Sequence, residues 1–203
     1  VQLLDAHFTY LSGRKRMTKY ATKLVGFALL CMITSPLYAG EGAISLFDGK
    51  TLKGWSGDPK FWSVEDGVIT GRTTNEVTTD YNTFLTWTGG TVSDFQLDVD
   101  FKLVGGNSGI QYRSRELDKK WAIGGYQADF DATNKFTGIL YEEQGRGILA
   151  QRGTKVVIGE DGKKSVAGKT ATEDEILAAV KTNQWNHYTV IAKGNYLTHI
   201  ING

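Results

Sequence analysis

Apolar and polar residues along this chain alternate with the period of two that belongs to β-strands. The pattern is longest between Asp94 and Leu103, where Phe95, Leu97, Val99, Phe101 and Leu103 alternate with Gln96, Asp98, Asp100 and Lys102. One face of such a strand packs into a core and the other meets water. Shorter runs repeat the signal. Residues 43–47 predict a first strand, stopped by Asp48-Gly49. Residues 61–64 and 68–71 flank Glu65-Asp66-Gly67, and Asp-Gly between β-branched and aromatic runs predicts a hairpin. Residues 82–87 predict a further strand, and residues 108–113, 124–130 and 137–142 predict three central ones. Residues 147–151 and 154–158 read as a hairpin over Arg152-Gly153, with 159–169 as a polar loop. Residues 185–193 and 196–201 are a last pair joined at Gly194-Asn195. Thr172-Glu173-Asp174-Glu175 ahead of Ile176, Leu177 and Val180 is a capping box, so one short helix starts there. Short strands with regular turns and one helix predict an all-β, two-sheet antiparallel jelly-roll sandwich. The closing Asn202-Gly203 is itself a hairpin signal, so a last strand or strands are expected beyond it.

Composition narrows this picture. With 203 residues, 40% hydrophobic and 22% charged, the chain can bury a core for one such domain. The first 39 residues hold five of the 23 basic residues and one of the 22 acidic ones, which leaves a slightly acidic body without a basic run. That argues against nucleic acid as a partner. Met17, Lys19 and Lys23 precede an apolar run from Leu24 to Ile33, and Pro36 and Ala39 follow. This is the order of a secretory signal. Residues 1–16 are then expected to be an upstream extension, 17–39 a signal peptide cut after Ala39, and 40–203 the domain. The run is short for a membrane span, so the mature chain is expected to be secreted or periplasmic and free of a stable span. Cys31, the lone cysteine, leaves with the signal, so no disulfide or thiol nucleophile is expected in the domain.

Candidate chemistry gathers between Gly105 and Gly147. Gln111 and Arg113 share a face of one predicted strand, and Gln127 and Asp129 share a face of the next. An arginine beside a carboxylate and an amide on one sheet face can fork onto sugar hydroxyls or a carbonyl; it is equally a salt-bridged outer face. Trp121 is either a stacking platform or a core residue. Glu142, Glu143 and Asp129 are the available acids and bases. The Glu-x-Asp-x-x-Glu pattern of laminarinase-type glycosidases is absent, which weakens ordinary two-carboxylate cleavage. His187 and His199 lack partners at metal-ligand spacing, and Asp94, Asp98 and Asp100 read as a solvated face. The sequence requires no cofactor.

Six motifs together resemble the 3-keto-disaccharide hydrolase domain family. They run from Leu46 to Trp55, from Phe61 to Ile69 and from Gly106 through Asn107 to Ile110, then Gly125-Tyr126-Gln127, Thr137 to Tyr141, and Trp185-Asn186. The resemblance implies a concanavalin A-like jelly roll whose final strands lie beyond Gly203. It implies a carbohydrate partner, an oxidised disaccharide or glycoside, cleaved as a glycoside with a ketone at C3. Many members carry Glu where this chain has Gln127, which shifts the acid–base role to Asp129 and Glu142. On that reading Asp129 is the base, Arg113 the oxyanion partner and Glu142 or Tyr141 the acid. Gln111, Gln127, Trp121, Arg146 and Asn107 bind substrate. A divalent metal could replace Arg113 as electrophile. The alternative is a non-catalytic, lectin-like carbohydrate-binding module on the same sandwich.

Overall fold

A computed structural model describes residues 2–9 and 42–203. The segment read as a signal peptide lies outside the described residues. In chain order the strands are β1 (Gln2–Thr9), β2 (Ala43–Ser45), β3 (Trp55–Ser56), β4 (Trp62–Glu65), β5 (Val68–Gly71), β6 (Thr86–Trp87), β7 (Phe95–Leu103), β8 (Asn107–Glu116), β9 (Ile123–Asp131), β10 (Leu140–Glu143), β11 (Gly147–Ala150), β12 (Thr154–Ile158), β13 (Lys164–Lys169), β14 (Asn186–Lys193) and β15 (Tyr196–Ile201). Helix α1 (Glu173–Ala179) follows β13. A seven-stranded sheet runs β15-β14-β7-β1-β5-β4, with β2 paired to β1, and a four-stranded sheet runs β11-β10-β9-β8. All pairings are antiparallel, and the two sheets form the expected sandwich.

The alternation read from residues 95–103 is realised along the whole of β7: each odd residue is buried and each even one is partly exposed. Its inward face meets Tyr112, Ala128 and Phe130 of the four-stranded sheet and Tyr188, Val190 and Ala192 of β14. Phe101 and Phe130 stack across the core, with centroids 4.2 Å apart. Each fully buried ring of this size contributes roughly 1.5–3 kcal/mol. The even residues of β9 therefore lock the four-stranded sheet down, and its odd residues face away.

The hairpin at Asp66-Gly67 forms with both residues at positive φ, as a two-residue turn of that type requires. Helix α1 is capped by Thr172 with the reciprocal Glu175 bond. Other details differ from the sequence reading. Residues 82–85 do not form a strand; only Thr86–Trp87 pair, with Trp55–Ser56. Residues 137–139 do not form a strand: Asp131 accepts from the backbone N–H groups of Phe136 and Thr137, Gly138 N donates to Asp129 O, and Ile139 N turns back to Phe136 O. β11 pairs with β10 and not with β12; β12 instead forms a separate ribbon with β13, drawn from the segment read as loop. Gln2–Thr9, from the segment assigned to an upstream extension, runs as a strand between β7 and β5, in register with β7 over eight residues. Two facing edges otherwise left with unpaired N–H and C=O groups are thereby closed. Among the described residues no helix is long and apolar enough to cross a membrane.

Candidate functional site

The outward face of the four-stranded sheet carries polar residues that are nonetheless buried. Gln127 and Asp129 on β9 are 7% and 5% exposed. Gln111 stands opposite Gln127, and Gly109 opposite Asp129. On the other side Tyr141 pairs with Gln127, and Glu143 with Gly125. One hydrogen-bond chain crosses the face. Ser114 Oγ donates to Gln111 Oε1 (3.0 Å), Gln111 Nε2 to Gln127 Oε1 (3.0 Å) and Gln127 Nε2 to Asp129 Oδ2 (3.2 Å). Asn107 Nδ2 donates to Asp129 Oδ1 at 2.8 Å. A Cβ at Gly109 would meet Gln127 Cγ at 2.5 Å, so the bare backbone there lets Gln127 lie across the strand and cover Asp129.

A groove of about 220 Å³ opens over this floor. Asn107, Gly109 and Gln127 line its bottom; Trp62, Arg72, Asn82 and Phe84 line its sides. Asp129 lies directly beneath the two amides that it accepts from. Burial pushes its carboxyl up to about 6, against the pull of the bonds from Asn107 and Gln127. Among the described residues no cation pairs with it. Burial and the nearby Glu143 and Asp129 carboxylates push the Tyr141 phenol above its ordinary value, which keeps it protonated. Glu143, 5% exposed, accepts from Asn82 Nδ2 and Gln144 Nε2, both at 3.2 Å.

The structure brings Asn107, Gln111, Gln127, Asp129 and Tyr141 together and leaves the other candidates elsewhere. Arg113 is removed from the face by a β-bulge: register shifts between Tyr112 and Arg115, with Arg113 at φ 47°. Ser114 takes the place over Gly125 that regular alternation assigns to Arg113. The guanidinium instead holds Ser93 O, Gly194 O and Asp94, clamping the β14–β15 turn. The oxyanion role assigned to Arg113 therefore has no geometric basis. Glu142 pairs with Tyr126 and so lies on the opposite side of β10 from Gln127. Its carboxylate binds Arg146 Nε and Nη2, and those bonds hold it below the usual carboxylate range. Arg146 reaches toward the Tyr126 hydroxyl, also away from the groove. Trp121 has one ring face covered by the Lys120 ammonium at 4.0 Å, and its carbonyl accepts from Phe84 N. It anchors the loop at the groove edge and is not among the lining residues.

Glu143 is the residue that strand periodicity favoured over Glu142, two positions after Tyr141 on the same face. Asn82, Trp62 and Arg72 carried no such signal, since their loop and hairpin reach the groove only through the fold. Among the described residues no three His, Cys, Asp or Glu side chains cluster as a metal ion needs.

Residues 42–203 match the family described as the 3-keto-alpha-glucoside-1,2-lyase-like domain. A 3-keto-disaccharide hydrolase from Bacteroides thetaiotaomicron is 35% identical over 88 residues, 39% of this chain and 30% of that protein. The chain thus spans less than a third of that relative. A crystal structure of a provisionally assigned glycosyl hydrolase from Parabacteroides distasonis is similar at 27% identity and TM-score 0.43, over 79% of this chain and 69% of that one.

Proposed function

The chain belongs to the 3-keto-alpha-glucoside-1,2-lyase-like family, and from that premise we propose that it cleaves glycosides whose sugar carries a ketone at C3. One observation carries the proposal: Asp129, a buried carboxylate under a groove, is held by amide donors and has a pKa raised to about 6. Such a group is ionised at neutral pH yet basic enough to take a carbon-bound proton.

A ketone at C3 acidifies the C2 hydrogen. Asp129 removes that proton, and the electron pair moves onto the C3 oxygen as an enolate. The enolate then re-forms the ketone, makes a C1–C2 double bond and expels the C1 oxygen. That oxygen takes a proton from the Tyr141 phenol. Water adds across the double bond to give the free 3-keto sugar. Asn107 and Gln127 each spend one N–H on Asp129 and keep a second, suited to the C3 oxygen as charge develops on it. Asp129 is 5% exposed, so the Gln127 amide turns aside as the sugar enters. Among the described residues no ligand cluster would hold a divalent cation, so no step is assigned to one; turnover lost on dialysis against EDTA and restored by a cation would overturn that. The basic, apolar, small-residue order of residues 17–39 supports action outside the cytoplasm, but cleavage after Ala39 would also remove Gln2–Thr9, the strand between β7 and β5; the N-terminal mass of the exported protein decides whether that strand is kept.

The test is incubation with a 3-keto-disaccharide and its unoxidised parent in deuterated water. Turnover of the keto sugar alone, with deuterium at C2, is expected. Binding of both sugars without turnover would overturn the proposal in favour of a lectin-like module, a reading that the amide-rich floor of Asn107, Gln111 and Gln127 also suits.

A further inference from the structure

The groove has a second wall, from β4, β5 and the residues after them, that the chemistry above does not use. We infer that Trp62 and Arg72 on this wall form a subsite for the departing sugar ring, whose C–H face lies on the Trp62 indole. The inference rests on the reading of the groove as a keto-glycoside site.

The wall is built around one cross-strand pair. Trp62 stands directly opposite Gly71 in the β4–β5 register. A Cβ at Gly71 would come within 2.6 Å of Trp62 Cζ3 and 2.9 Å of Cη2. The bare backbone at 71 is therefore what allows the indole to lie flat on the strand, and both residues border the groove. Gly71 is not at positive φ, so the strand itself would accept a side chain there; the ring is what excludes one. The buried indole Nε1 has no hydrogen-bond partner. Packing on Gly71, and not a polar contact, sets the orientation of the ring.

The two sides of the groove thus differ in chemistry. The floor offers amides, and the wall offers aromatic faces, Trp62 with Phe61 and Phe84 beside it. A pyranose ring has the matching duality: apolar C–H faces and a hydroxyl-bearing edge. Rigid aromatic faces bind the former. Arg72, the one charged residue among the described residues that line the groove, has Nη2 on Glu65 at 2.9 Å and is about half exposed. The rest of its five-donor fork can take hydroxyls.

The test compares the full chain with Trp62→Ala and Gly71→Ala, using a 3-keto-disaccharide and the methyl 3-keto-glucoside, whose leaving group is only methanol. The ratio of their kcat/KM values is expected to fall at least tenfold in both variants, through KM for the disaccharide more than through kcat. A ratio within twofold of the parent in both would overturn the inference. Should Trp62→Ala lose its folded circular dichroism, Gly71→Ala, which keeps the indole but displaces it, decides alone. If no keto-glycoside turns over, the proposed function fails. The subsite is then read by calorimetry with the unoxidised disaccharide and methyl glucoside. Tenfold weaker binding of the disaccharide alone supports the subsite; equal weakening of both, or none, overturns it.

Discussion

Asp129 and Asp131 stand two residues apart on one face of β9, 5% and 7% exposed, yet their surroundings make them different groups. Asp131 sits at the strand end and collects backbone N–H bonds from Thr133, Lys135, Phe136 and Thr137 and the hydroxyls of Thr133 and Thr137. Burial alone would raise its pKa, but these donors outweigh burial and hold it below the ordinary value. Asp129, at the centre of the sheet, has among the described residues two side-chain amide donors and a lesser backbone bond from Phe130, and burial wins. Solvent exposure alone is thus no guide to role; Asp129 lies deeper among packed atoms, and Asp131 is better supplied with donors. A carboxylate saturated by its own loop is a structural acceptor with no capacity left. One left short of donors under a groove is available for proton transfer.

The sharpest way to break this comparison is to remove each charge. Asp129→Asn is expected to lower kcat/KM on a 3-keto-disaccharide by about 10³-fold, within the usual 10²–10⁴ for a positioned base. In the parent, kcat/KM should fall as pH drops below about 6, where Asp129 takes up a proton. A flat profile from pH 5 to 8 would reject it as the base. Stability should move the other way. The folded-state pKa of Asp129 lies above its unfolded value of 3.8, so its protonation favours folding at low pH and that contribution is lost as pH rises through about 6. Asp129→Asn should therefore be as stable as the parent at pH 8, or more stable by up to about 2 kcal/mol in urea unfolding.

Asp131→Ala is expected to cost about 3 kcal/mol or more in the same measurement, because it strips partners from several buried donors at once. An equal loss for both aspartate variants would erase the distinction.

A third measurement uses a group of opposite sign. His199, beside the Tyr112 hydroxyl at 3.0 Å, has a pKa lowered by burial to about 4, against the raising effect of its bond to the Ile139 backbone. Its contribution to stability is complete above its unfolded value of 6.5 and is lost as pH falls toward 4. In the parent this loss and the gain from Asp129 oppose each other between pH 6 and 4. Asp129→Asn should unmask the histidine slope, a decline of about 3 kcal/mol from pH 6.5 to 4. Parallel stability profiles for parent and variant would contradict that balance.

The smallest effect separates the two adjacent glutamates. Glu143→Gln should reduce kcat/KM about tenfold by disturbing Asn82 and the Tyr141 environment, and Glu142→Gln less than threefold. The reverse order would place the reacting sugar on the other face of β10.

The sequence alone determined the alternation that makes β7, the Asp-Gly hairpin, the Thr172 cap and the all-β sandwich, because each depends on neighbours a few residues apart. It also determined that Gln127 and Asp129 share a face, since period two is local. The family resemblance was legible for the same reason, in short motifs. Only the tertiary structure decided which polar face is built and which is merely wet, because that depends on what lies across the sheet. Arg113 left the face through a bulge whose left-handed residue has no local marker. Glu143 shares a face with Tyr141 by the same local period, but only the register of β10 on β9 decided that this face, and not that of Glu142, meets the groove. Trp62, Arg72 and Asn82 came to the groove from about 25 to 65 residues away from its floor, a distance that periodicity cannot span and packing can.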